Sequence, residues 1–251
     1  APGGQTGANI DDSEKDKPEL FIENQNKDDL ITMWKMLATR YHKEACVAGY
    51  DLLNEPLAPY FDNMDELNKK LEPMYKLAVQ AIREVDKNHI VLLGGAQWNG
   101  NFKVFNDWKF DSNMMYTSHR YWCDTLQTNV QDLVDFREKV NLPLYMGETG
   151  ENTDAWVKAF RSLMERNNIG WHFWPYKKLN SNSCMTKIKE PENWDLIIKY
   201  TEQPRNNFSQ IRTARPDQEI VKKALNEFIE NSKFKSCIRN EGYIKALGMT
   251  P

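Results

Sequence analysis

Two short stretches set a carboxylate where an apolar strand gives way to a loop: Leu52-Leu53-Asn54-Glu55-Pro56 and Leu144-Tyr145-Met146-Gly147-Glu148. A carboxylate at the end of a buried strand is costly unless something uses it. Two that face each other across one site could cleave a glycosidic bond. One delivers a proton to the leaving oxygen, while the other attacks the anomeric carbon or activates a water. Carboxyl groups about 5 Å apart give a covalent intermediate and retention, and clearly longer separations give inversion. Other strand ends add Gln97-Trp98, His119, Tyr121 and Trp174, groups able to hydrogen-bond or stack against a sugar. Glu55 and Glu148 are therefore the candidate catalytic pair. Asn54, Trp98, His119, Tyr121 and Trp174 are candidate substrate-binding residues.

The elements that must position them alternate. Leu30, Ile31, Trp34, Leu37, Ala38 and Tyr41 recur at helical spacing. The stretch VAGYDLL then reads as a short buried strand. A second helix spans MDELNKKLEPMYKLAVQAIREVD, with a kink or break expected at Pro73. HIVLLGG, NMMYTSHRY, LPLYMGE and IGWHFWPY are further strands. VQDLVDFREKV and TDAWVKAFRSLMERNN are the intervening helices, and PDQEIVKKALNEFIEN is a closing helix opened by Pro216. Between Trp174 and that helix the sequence reads as irregular. Strand and helix in alternation, with nearly continuous apolar strands, predict a parallel sheet covered by helices. GGAQWNG is not GxGxxG, and there is no Walker motif. Functional side chains at the ends of many strands fit a closed (β/α)8 barrel better than an open sheet with one switch point. Five strands are found where a barrel needs eight, and residues 1–26 read as a loop. The expectation is thus a single catalytic domain over residues 1–251 holding about the last five strand-helix units. The first three lie upstream of residue 1, or are supplied by an N-terminal segment or a swapped second copy.

Composition narrows the classes. The 251 residues carry a net charge of −3, which gives no basic surface for nucleic acid. The apolar runs are too short to cross a membrane. Four cysteines without a CxxC and four histidines without HxH or HExxH argue against a protein-bound metal, so no metal and no cofactor is expected. Two disulfides are possible, and the spacing does not choose among three pairings. Eight Trp, ten Tyr and eleven Phe supply either core or stacking surface.

The motifs LLNEP, SHRYW, LYMGETG and GWHFWPYKK, in this order, resemble glycoside hydrolase family 5, which includes cellulases and related β-glycanases of the retaining (β/α)8 type. The resemblance runs from about Ala1 to Lys178, and the final helix also fits. It implies Glu55 as general acid/base and Glu148 as nucleophile. It implies Asn54 on the 2-hydroxyl at the cleavage point, Tyr121 hydrogen-bonded to Glu148, His119 lining the same subsite and Trp174 as its stacking floor. An Arg and a His that the family carries on earlier strands have no match here. The implied activity is a secreted endo-β-1,4-glucanase acting on β-glucan polysaccharide or oligosaccharide. The alternatives are an exo-acting β-1,3-glucanase, another β-glycosidase or mannanase of the family, or an inactive carbohydrate-binding fragment.

Overall fold

The computed structural model describes residues 3–6, 17–213 and 215–250. The reading of residues 1–26 as a loop therefore falls partly outside the described residues. The chain divides into two compact units. Unit 1 is Ala1–Thr149 with Phe160–Phe173, and unit 2 is Gly150–Ala159 with Trp174–Pro251.

Unit 1 begins with α1 (Asn24–Tyr41), which buries Leu30 and Ala38. Its Trp34 Nε1 donates to the Leu52 carbonyl at 3.1 Å, while Tyr41 ends up on the exposed side. Strand β1 (Gly49–Asp51) follows, then α2 (Met64–Val85). Leu67, Leu71, Met74, Tyr75, Ala78, Val79 and Ile82 form one apolar stripe on α2 at three- and four-residue spacing. The helix runs through Pro73 without the expected break. Pro73 lies on the exposed face, where water can serve the carbonyl its ring leaves unpaired, while the buried stripe anchors the turns on either side.

Next come β2 (Ile90–Gly94), the single turn α3 (Ala96–Asn99), β3 (Met114–Arg120), α4 (Gln131–Val140), β4 (Leu144–Thr149), α5 (Asp154–Arg166), which both units share, and β5 (Gly170–Trp171). The strands form one sheet in the order β1-β2-β3-β4-β5, every pair parallel. Sequential order with no reversal is the arrangement of barrel strands rather than of a doubly wound sheet. The five strands run in the order of a (β/α)8 architecture, with α2, α4 and α5 following β1, β3 and β4.

The two faces of the sheet differ. Tyr50, Val91, Leu93, Met114, Tyr116, Leu144 and Met146 are buried on the helix side. On the other face Ile90, Leu92, Met115 and Tyr145 are only half-buried and Asp51 is exposed, so the strands are less uniformly enclosed than their apolar runs suggest. Polar ties fix the helix layer. Tyr75 Oη donates to the Gly94 carbonyl at 3.0 Å. Arg83 forks onto Asp111 through two 2.8 Å bonds, holding the carboxyl below its usual range despite burial. Burial pushes the Asp86 carboxyl up, but donors from Tyr50, the Asn88 and His89 amides and the His89 ring outweigh it, and its pKa sits at about 2.

Unit 2 corrects the irregular reading of the stretch after Trp174. Strands β6 (Lys177–Leu179) and β7 (Thr186–Ile188) pair in parallel. Helices α6 (Trp194–Thr201), α7 (Phe208–Arg212) and α8 (Gln218–Asn231) follow, and then β8 (Ile238–Arg239), antiparallel to β7, and α9 (Glu241–Ala246). Helix α8 opens on Asp217, whose carboxylate accepts from the Glu219 and Ile220 amides, so Pro216 precedes the cap. Cys46, Cys184 and Cys237 are free thiols. Among the described residues no helix is long and apolar enough to cross a membrane.

Candidate active site

Glu55 is not on the strand. The β1 ladder ends at Asp51, and Asn54 and Glu55 lie in the loop beyond it, with Pro56 buried further on. Glu55 and Leu57, either side of the proline, both take left-handed backbone (φ 48 and 59), an uncommon state for residues with a side chain. The loop is held from several directions. The Glu55 amide donates to Asn99 Oδ1 at 3.1 Å, and the Glu55 carbonyl accepts from Thr6 Oγ1 at 2.9 Å. The Leu57 and Ala58 amides bind the Gln5 and Thr6 carbonyls, each at 2.9 Å.

Glu148 sits within β4, and a bulge directs it. Ser118 pairs with Met146, but the next pair is His119 with Glu148, so Gly147 is the extra residue. Without it, alternation would send Glu148 to the face opposite His119. Only glycine fits there, because a Cβ at Gly147 would lie 2.3 Å from Thr117 Oγ1. With the bulge, His119 Nδ1 is 2.9 Å from Glu55 Oε1 and 3.8 Å from Glu148 Oε2. The imidazole, 4% exposed, is wedged between a 14% and a 27% exposed carboxylate. Tyr121, one residue past β3, donates its hydroxyl to Glu148 Oε2 at 2.9 Å. Donors to a carboxylate are worth about 1.5–3 kcal/mol each.

Ligand atoms of Glu55, His119 and Glu148 all lie within 4.8 Å of one another. On distance alone such a triad could take a cation. Here His119 pairs with Glu55 and the Tyr121 hydroxyl donates to Glu148, so each carboxylate is held by its own partner.

The structure brings Glu55, His119, Tyr121 and Glu148 together. Asn54 is exposed one residue before Glu55. Trp98 is half-buried in α3. Trp174 is not on the last strand as expected: β5 stops at Trp171, and Trp174, 49% exposed, belongs to unit 2, where it bridges Gly150.

Sequence reasoning missed three neighbours of the pair. Asn99 is an ordinary loop asparagine by sequence. Trp122 follows Tyr121 directly, with its ring 5.5 Å away and 78% exposed, and an aromatic pair at a strand end was the available signal. Asp51, four residues before Glu55, is a charged residue inside an apolar strand. Its side chain is open to solvent on one side, yet the protein around it strips enough water to push its carboxyl up to about 7. The His119 ring pulls that value down and the Glu148 charge adds to it.

Endoglucanase C of Acetivibrio thermocellus is 23% identical, across 71% of this chain and 67% of its own. A β-xylosidase of Phanerodontia chrysosporium is 30% identical across 48% of this chain and 24% of its own. Thermotoga maritima Cel5A, solved with cellobiose, superposes with TM-score 0.52 at 21% identity, covering 63% of this chain and 62% of that one. It has also been solved with mannotriose. This chain thus spans less than two thirds of that structure, and the likeness supports the (β/α)8 fold. A family profile described as cellulase (glycosyl hydrolase family 5) matches residues 11–180, well over half of the sequence, and the chain belongs to that family.

Proposed function

We propose that this chain carries the catalytic centre of a retaining glycoside hydrolase for β-linked glucan, acting as an endo-β-1,4-glucanase. The observation that carries the reading is the separation of the carboxylates: their facing oxygens are within 4.8 Å, in keeping with the roughly 5 Å spacing of retaining enzymes. In this reading a Glu148 oxygen attacks the anomeric carbon as the glycosidic C–O bond breaks, and Glu55 gives its proton to the departing oxygen. Glu55 then takes a proton from water, whose oxygen displaces Glu148 and frees the sugar. Tyr121 holds the attacking carboxylate by its Oε2, leaving the other oxygen for attack. His119 keeps the Glu55 carboxyl turned toward the bond. Asn54 binds the 2-hydroxyl, and Trp174 and Trp98 offer flat faces to sugar rings. The exposed Trp122 ring beside Tyr121 extends that surface by one sugar.

The domain reading goes with it: residues 1–251 form the larger part of one catalytic barrel. Three further strand-helix units, from a longer polypeptide or a second copy, cover the half-open face of the sheet. A polymeric substrate puts the enzyme outside the cell. A second reading, β-1,3-glucan, xylan or mannan as substrate, is favoured by the β-xylosidase relative and by the mannotriose complex of the Thermotoga protein.

The test is reducing-sugar release from cellulose derivatives, β-1,3-glucan, xylan and mannan, by the chain alone and co-expressed with segments that close the sheet. The anomer first formed is read by NMR. Fastest release from β-1,4-glucan, with the β-anomer appearing first, is expected. Initial α-anomer would sink the retaining mechanism, fastest release from another polymer would replace the substrate, and binding without release from any would leave a carbohydrate-binding protein.

A further inference from the structure

The turn after β2 contains the longest run of left-handed backbone among the described residues of unit 1, and it lies against Glu55. Gln97, Trp98 and Asn99 have φ of 50, 61 and 55, three left-handed residues in succession with no glycine among them. Such a conformation costs roughly 1–2 kcal/mol per residue. An ordinary surface turn would relax, but this one is tied down. The Gln97 amide donates to the Leu57 carbonyl at 2.9 Å, its side-chain amide donates to Asn68 Oδ1 at 2.9 Å, and Asn101 Nδ2 donates to Gln97 Oε1 at 2.7 Å.

The turn ends in Asn99, which is fully buried and reaches across to the other loop. Its Oδ1 accepts the Glu55 amide, while its Nδ2 has no hydrogen-bond partner among the described residues. A buried amide left half-satisfied is destabilising by about 1–3 kcal/mol, so stability alone does not explain an asparagine here. The side chain also needs room that only Gly94 leaves: a Cβ there would sit 2.2 Å from Asn99 Oδ1.

We propose that Asn99 is a positioning residue for the proton donor Glu55, a role that rests on the assignment of Glu55 as general acid. The amide of Glu55 is held by Asn99 and its carbonyl by Thr6, so both peptide planes flanking its Cα are fixed. That fixes the direction of Cβ and delivers the carboxyl to His119 Nδ1. A glutamate on a strand would have its backbone held by the ladder. Glu55, in a loop with left-handed backbone, has Asn99 instead. The strained turn is what carries Oδ1 to that amide, and its strain belongs with the site it serves.

The test is Asn99→Gly, which tolerates left-handed φ without steric cost and removes the side chain that carries the acceptor. Amide hydrogen exchange at Glu55 should quicken by about 10-fold or more while the β2 amides stay protected. Hydrolysis of a β-glycoside with a poor, alkyl leaving group should fall about 10- to 100-fold in kcat/KM, the scale of a misplaced catalytic group. Hydrolysis of a dinitrophenyl glycoside, whose leaving group needs no proton, should change little. In an E55Q background Asn99→Gly should add nothing. Asn99→Asp, which keeps size and acceptor, should retain Glu55 amide protection even if the glycine variant folds poorly. Unchanged Glu55 exchange in Asn99→Gly, or equal losses on both leaving groups, would overturn the proposal. If the unaltered chain, co-expressed with segments that close the sheet, cleaves neither glycoside, the glycosidase reading fails and this role with it. If the unaltered chain cleaves both and Asn99→Gly does not discriminate between them, only the role of Asn99 fails.

Discussion

The loop after β1 and the end of β4 each present one glutamate to the same histidine, and they do so by opposite means. Glu148 is on a strand, so ladder hydrogen bonds hold its backbone, and one steric device, the bulge at Gly147, turns its side chain to the right face. Glu55 is off the strand, in left-handed backbone, and depends on side-chain clamps from Asn99 and Thr6. Their exposures differ in the same sense, 14% for Glu55 and 27% for Glu148. The more open Glu148 also takes the Tyr121 hydroxyl on its Oε2. Precision at a strand end thus rests on packing, and precision in a loop rests on polar contacts.

Four substitutions would break or sharpen that contrast. Glu148→Gln should lower kcat by roughly 10⁴-fold or more on every glycoside, since no nucleophile remains. Glu55→Gln should lower kcat/KM, which reports the first step, by about 10²–10⁴-fold only where the leaving group needs a proton, while kcat falls on every glycoside because the second step loses its base. Steady-state rates on paired alkyl and dinitrophenyl glycosides check both, and a reversed leaving-group dependence would exchange the two roles. Tyr121→Phe should reduce kcat by about 10- to 100-fold, the range set by losing one hydroxyl bond to a carboxylate, with the fold intact by circular dichroism. Gly147→Ala acts on the steric side of the comparison. Its Cβ meets Thr117 Oγ1, so it should destabilise by about 1–3 kcal/mol in urea titration, and a neutral result would mean that the bulge can re-form without glycine.

The smallest effect belongs to Asp51, whose carboxyl is pushed up to about 7 by desolvation. Below about pH 4 it is protonated folded and unfolded. Between there and about 7 only the folded chain keeps the proton, so unfolding releases one, and stability falls as pH rises until both forms are ionised. Asp51→Asn should remove this slope, and its melting temperature should gain on the unaltered chain between pH 4.5 and 8. A constant difference across that range would place the carboxyl at its ordinary value.

Much of unit 1 is legible without coordinates. HIVLLGG and LPLYMGE are apolar runs that can only be enclosed, and the α2 stripe has one period. The reading went wrong where a local rule met a wider context. Pro73 sits inside a continuous helix because its free carbonyl neighbour faces water and the opposite face is anchored. The small sheet of β6, β7 and β8 is built from two- and three-residue strands, too short for any alternation to register. Trp174 follows its strand rather than ending it, because the ladder with β4 stops at Trp171.

By itself the sequence determined the type and order of the main elements and the presence of a glutamate following each of two apolar runs, because hydrophobic periodicity is local and survives without neighbours. Only the tertiary structure decided that the two glutamates meet. One inserted glycine reverses which face a side chain takes, and a left-handed turn on one loop holds a glutamate on another. Both depend on which strands and loops become neighbours, and residues far apart in the chain carry no periodic trace of that.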